Sequence, residues 1–94
     1  MTHDDIKSVV VEVLTGVVAA VGAPMPPLDD DTKPIGALPN FDSILAEDTT
    51  VEVFTRLGLQ ADLDVNPFIK DDRAATLAEI VDQLHVLVND GGDA

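Results

Sequence analysis

Ser43 follows Asp42 in the stretch GALPNFDSIL, residues 36–45, between a proline-rich segment and a run with helical periodicity. A serine hydroxyl can act as a nucleophile or as the attachment point for a phosphoryl group. Placed behind an aspartate at the head of a helix, it meets unpaired amide N–H groups and the positive end of the helix dipole, a favourable place for a phosphate. The plainer role for the pair is helix capping. Two other sets of residues invite a chemical reading. Asp62, Asp64 and Asn66 match the first three ligand positions of an EF-hand, yet Pro67 stands where the turn glycine belongs and Arg73 where the closing glutamate belongs, so no calcium loop is expected. A serine hydrolase is disfavoured as well, because Ser43 lacks a Gly-x-Ser-x-Gly elbow and the only histidines, His3 and His85, lie near opposite ends. His85 falls beside the apolar stripe of the last helix and reads as a boundary side chain, not a general base. No catalytic residue and no metal site is predicted.

The chain that carries these residues has 94 amino acids, enough for one domain around one modest core. The apolar residues are Val, Leu, Ile and Ala with three Phe and neither Tyr nor Trp, which makes for an aliphatic core of packed helices. Eighteen acidic residues against five basic ones give a formal charge of −13. Such a surface repels phosphate backbones and anionic lipid, so nucleic acid and membranes are excluded as direct partners and basic proteins are favoured. There is no cysteine, and any thiol chemistry has to arrive on a prosthetic group. The opening MTHDDIK has no signal-peptide pattern and no apolar run is long enough to span a bilayer. The expectation is a cytoplasmic monomer, with no apolar face left over once the helices pack.

The elements that must position Ser43 follow from periodicity and caps. Ile6, Val9, Val10, Val13, Leu14, Val17, Val18 and Val21 recur at helical spacing and predict a first helix from about Asp5 to Val21, ended by Gly22 and Pro24. Residues 22–40 hold five of the six prolines and the run Asp29 to Asp31, which reads as a long loop pinned to the core by Leu28, Ile35 and Leu38. A second helix starts near Ser43 with Asp42 as its cap and stops at Gly58. Asn66 and Pro67 predict a short third turn or helix that carries Phe68 and Ile69 inward. The last helix begins at the capping-box pair Thr76 and Glu79 and continues through Leu77, Ile80, Val81, Leu84 and Leu87 or Val88, leaving residues 89–94 as a flexible tail. The core therefore spans about residues 5–88, and no strand alternation is evident.

On the second helix, Ala46, Thr50, Val53 and Leu57 form a core stripe edged by Thr49 and Phe54. The opposite side carries Ile44, Glu47, Asp48, Val51, Glu52 and Thr55. Two aliphatics ringed by three acids form a small partner-binding patch, with apolar anchors and a charged rim.

In this arrangement the chain resembles the acyl carrier protein family, whose signature is Asp-Ser-Leu at the head of the second helix and which Asp42-Ser43-Ile44 matches. The resemblance covers roughly Ile6 to Val88. It implies an all-α fold, a four-helix acyl-carrier-like bundle with a long loop between helices one and two and a short third helix. It also implies that Ser43 carries 4′-phosphopantetheine as a covalent cofactor, with Asp42 beside it, on which an acyl intermediate rides as a thioester. The chain would then be a carrier and no enzyme. Its partners would be a phosphopantetheinyl transferase and acyl-loading and acyl-transferring enzymes with basic docking patches, as in fatty acid or polyketide biosynthesis. The family usually has glycine two residues before the aspartate; Asn40 stands there, the next residue type most tolerant of a left-handed turn. An aminoacyl or peptidyl carrier, and an unmodified acidic interaction module, are the competing readings.

Overall fold

The computed structural model describes residues 2–38, 41–59 and 66–92. Its elements run in the order α1 (His3–Ala20), α2 (Pro34–Ala37), α3 (Ser43–Leu57), β1 (Ile69–Lys70), β2 (Arg73–Ala74) and α4 (Leu77–Gly92). The molecule is mostly helical, with a two-stranded antiparallel ribbon in which Ile69 faces Ala74 and Lys70 faces Arg73. Helix α1 packs against both α3 and α4. Its stripe of Ile6, Val10, Val13, Leu14 and Val18 is buried against Ala46, Val53 and Phe54 of α3 and Leu77, Ile80, Val81 and Leu84 of α4 in one core. Valine-rich α1 is a mediocre helix by propensity, since branched side chains lose rotamer freedom, and this packing is what holds it.

The helix ends are set by side chains. Thr2 caps α1: its hydroxyl accepts from the Asp5 N–H while the Asp5 carboxylate accepts from the Thr2 N–H. The helix thus begins earlier than its apolar stripe implies. At the other end Val21 is the C-cap and 46 % exposed, so it leaves the stripe instead of completing it. Gly22 follows with φ 75°.

The long connection after α1 is pinned as expected, with Leu38 buried and Leu28 and Ile35 packed on the core. It also contains α2, which is little more than one tight turn. Ile35 (φ −71°, ψ 113°) and Gly36 (φ 102°, ψ −29°) have type II turn values, and the second of these positions requires glycine. Further back, the Asp29 carboxylate accepts from the Asp31 N–H and the Thr32 hydroxyl. The carbonyls of Thr32 and Asp30 then accept from the Leu77 and Ala78 N–H groups. Thr76 serves the next two amides of α4, its hydroxyl for Glu79 and its carbonyl for Ile80. With the Thr76 N–H donating to the Glu79 carboxylate, the four orphan amides at the start of α4, those of Thr76, Leu77, Ala78 and Glu79, are all satisfied, two of them by a loop some 45 residues upstream.

One expectation is met in part. Of the short third turn or helix expected at Asn66 and Pro67, the turn forms and the helix does not in the described part: Asn66 caps the turn, accepting from the Phe68 N–H through its side chain and from the Ile69 N–H through its carbonyl, and the chain enters the hairpin at β1. Asp71 and Asp72 at the tip both have positive φ, 53° and 62°, as a two-residue type I′ loop demands. Phe68 does point inward and is fully buried, whereas Ile69 is only half-buried. At the C-terminus α4 continues through Asn89 to Gly92. Asn40, Asp62 and Asp64 lie outside the described residues.

Candidate functional site

Helix α3 starts where its cap dictates. Asp42 is extended (φ −113°, ψ −174°) and its carboxylate accepts from the Leu45 N–H at 2.9 Å, while its carbonyl accepts from the Ala46 N–H. Ser43 and Ile44 occupy the first two helical positions, whose amides have no intrahelical acceptor within reach. The helix they begin is fifteen residues long, enough to present the positive end of a macrodipole. The far end is closed by Gly58 in the left-handed region (φ 74°), with the Leu59 N–H returning to the Phe54 carbonyl.

The position of this helix head is fixed from outside. Phe41, directly before the cap, is buried and meets Phe68 edge to face at a centroid distance of 5.4 Å. The Phe41 N–H donates to the Leu38 carbonyl. The hairpin and the end of the long connection thus hold the chain on the core one residue before Asp42.

Along α3 the two faces separate as periodicity predicts. Ala46, Thr49, Thr50, Val53 and Phe54 are buried. Thr49 lies wholly inside and not at an edge. The two buried hydroxyls donate to carbonyls one turn back, Thr49 to Leu45 and Thr50 to Ala46, so neither is left unsatisfied. On the other side Ile44, Glu47, Asp48, Val51, Glu52 and Thr55 are all exposed. Ile44 is 72 % exposed, the most open large apolar side chain among the described residues. No basic side chain pairs with Glu47 or Asp48 among the described residues. Glu52 differs. Arg56, one turn on, donates from Nε to its carboxylate at 3.2 Å and reaches Glu12 of α1 from Nη1 at 3.5 Å. The i, i+4 spacing of Glu52 and Arg56 was visible in the sequence; the approach of Glu12 depends on how α1 crosses α3.

The remaining titratable clusters are structural in character. Arg73 of β2 donates two hydrogen bonds to Glu79 of α4, at 2.9 and 2.6 Å. Those bonds, and the Thr76 N–H, lower the Glu79 carboxyl from its ordinary 4.5 to about 2, and Glu79 in turn raises Arg73. This pair clips the hairpin to the start of α4. His3 lies 2.9 Å through Nε2 from Asp82 and stacks on His85 at 3.9 Å, joining the start of α1 to α4. His85 is half-buried, at the boundary position its spacing predicts. Its ring nitrogens face Asn89, one turn further on, so the two imidazoles are directed at different neighbours. A polar groove of about 250 Å³ lies beside them, lined by His3, Asp4, Lys7, Asp30 and Asp82 over Ala78 and Val81. Among the described residues no group of three or more His, Cys, Asp or Glu side chains is arranged to hold a metal ion. No helix there is long and apolar enough to cross a membrane. No family model, curated protein or solved structure matches the chain at a significant level.

Proposed function

We propose that this chain is a carrier protein, modified with 4′-phosphopantetheine on Ser43, that offers an acyl thioester to separate enzymes. The observation that carries the reading is the head of α3: Ser43 at the first position of a 15-residue helix, directly behind an aspartate that caps it. The residues present fit the group. The first two amides of α3 and the helix dipole favour a phosphodiester there, and the Asp42 carboxylate is held back by the Leu45 N–H instead of competing for those amides. The group supplies the thiol that a cysteine-free chain lacks.

The exposed side of α3 is the second support. Ile44 and Val51 are open aliphatics and Glu47 and Asp48 are acids without a cationic partner among the described residues, all within the first nine positions of the helix that Ser43 begins. A partner with arginine or lysine around an apolar patch is steered in by the acids and desolvates the aliphatics on contact. On this reading the chemistry belongs to the partners and the chain is their substrate.

The test is incubation with a phosphopantetheinyl transferase and coenzyme A followed by intact-mass measurement. The wild-type protein gains the prosthetic mass and Ser43→Ala does not. Modification that persists in Ser43→Ala, or a wild-type protein that stays unmodified with a transferase active on a control carrier, refutes the reading.

A further inference from the structure

Arg56 is the only basic residue on α3, and it does not project freely: it lies between Glu52 of its own helix and Glu12 of α1. Both acids are well exposed, with 55 % and 70 % of their side-chain surface open. The guanidinium is therefore a surface counter-ion on the same stretch of α3 that carries Glu47, Asp48 and Val51, and it draws an acid of α1 to the edge of that face. We infer that Arg56 is an internal competitor for the cations of a docking partner. It neutralises one end of the acidic face and extends that face to Glu12. This rests on the carrier reading of α3 and concerns how its docking is restrained.

The physical argument is one of charge placement. Removing Arg56 frees two carboxylates and takes away the one positive charge that an approaching cationic surface meets on α3. Asp48 lies about two helical turns from Arg56, on the order of 12 Å along an axis rising about 1.5 Å per residue, whereas Glu47, half a turn further round, stands on the opposite side of the helix. The separation from Asp48 is little more than the screening length of about 8–10 Å at ordinary ionic strength, so at low salt the field of Arg56 reaches Asp48 and acts less on Glu47. Exposed pairs of this kind are weak and exchange readily, which makes Arg56 displaceable and not a lock. The partner implied is a protein surface bearing arginine or lysine. Its cations enter first at Glu47 and Asp48, and compete with Arg56 for Glu52 and Glu12 afterwards.

The experiment uses the full chain and a phosphopantetheinyl transferase with coenzyme A, reading kcat/KM for modification of Ser43 at low and high salt. Arg56→Gln raises kcat/KM by roughly two- to five-fold at low salt, and the gain disappears as salt screens it. Arg56→Lys keeps the charge and stays at the wild-type rate. Glu12→Gln lowers the rate, because it removes an acid and leaves Arg56 less neutralised. Lys70→Gln is the charge-matched control, since Lys70 belongs to β1 and pairs at 3.7 Å with Glu79 of α4, not with an acid of α3; it leaves the rate unchanged. Thermal unfolding of each variant verifies that it is folded at the assay temperature, and if Arg56→Gln is not, the opposite sign predicted for Glu12→Gln carries the test. An unchanged or slower Arg56→Gln, or an equal gain in Lys70→Gln, overturns the inference while leaving the carrier reading intact. A wild-type chain that is never modified overturns both.

Discussion

Ile44→Ala separates a docking anchor from a side chain that is incidentally exposed. Ile44 keeps 72 % of its surface open in the folded chain. Burying an isoleucine fully is worth about 1.5–3 kcal/mol, so the part left for a partner to cover corresponds to about 1–2 kcal/mol. At about 1.4 kcal/mol per tenfold, the variant should bind its partner about 5- to 30-fold more weakly. The loss should be insensitive to salt, because it is a loss of apolar contact. The fold should hardly register the change: an exposed substitution near a helix start falls within about 0.5 kcal/mol. Val53→Ala on the buried face of the same helix is the counterpart. Val53 is fully buried, and deleting its methyls costs about 2 kcal/mol, lowering Tm by about 10 °C. The assays are KM for the transferase at two salt concentrations and a thermal melt. An unchanged KM for Ile44→Ala refutes the anchor, and a melt depressed like that of Val53→Ala refutes the exposure on which the argument stands.

Three further outcomes are expected. Neutralising Glu47 and Asp48 to Gln and Asn should slow modification at low salt, with the penalty fading as salt is added, whereas removing the same two charges by Asp71→Asn with Asp72→Gly should leave the rate unaffected; equal slowing by both would reduce the face to a net-charge effect. That second pair should also stabilise the fold by about 1 kcal/mol, read as a raised Tm, because asparagine and glycine accept the positive φ of the hairpin tip at less cost than two aspartates. Glu79 has a folded pKa of about 2, below its ordinary 4.5, so its contribution is complete above pH 4.5 and is lost as the pH falls toward 2. Glu79→Gln should therefore lower Tm at neutral pH and flatten the dependence of Tm on pH across that acid window; a slope identical to wild type would mean that the Arg73 clip does not persist in solution.

Much of the candidate site was legible because its signals are local. Asp42 as a cap and Gly58 as a left-handed stop bound α3 with no reference to the rest of the chain, and Thr76 with Glu79 bounds the start of α4 in the same way. The 3.6-residue period alone sorts α3 into a buried and an exposed side, which places Ile44, Glu47, Asp48, Val51, Glu52 and Thr55 outside. These are properties of backbone geometry within a few residues, and tertiary structure leaves them unchanged. The edges were less secure: Thr49 is inside and Val21 outside, because burial at the rim of a stripe depends on what packs there.

What tertiary structure decided lies where neighbours in space are far apart in sequence. The hairpin at residues 69–74 has strands of two residues, too short to show alternation, and a turn of two aspartates in place of the usual Asn-Gly. Its pairing, the burial of Phe68, the Gln83 side chain on the Pro67 carbonyl and the grip of Arg73 on Glu79 hold the chain in that shape, where the sequence at Asn66 and Pro67 reads locally as a short turn or helix. The carbonyls of Asp30 and Thr32 acquire a purpose only when the loop lies across the start of α4, and Glu12 joins the acidic face of α3 only because α1 crosses it within reach of Arg56. A chain of 94 residues can advertise its caps and its periods, since each is decided within one turn of helix; which loop carbonyl or distant carboxylate completes a helix end or a charged face is set by packing between elements, and the sequence carries no local mark of it.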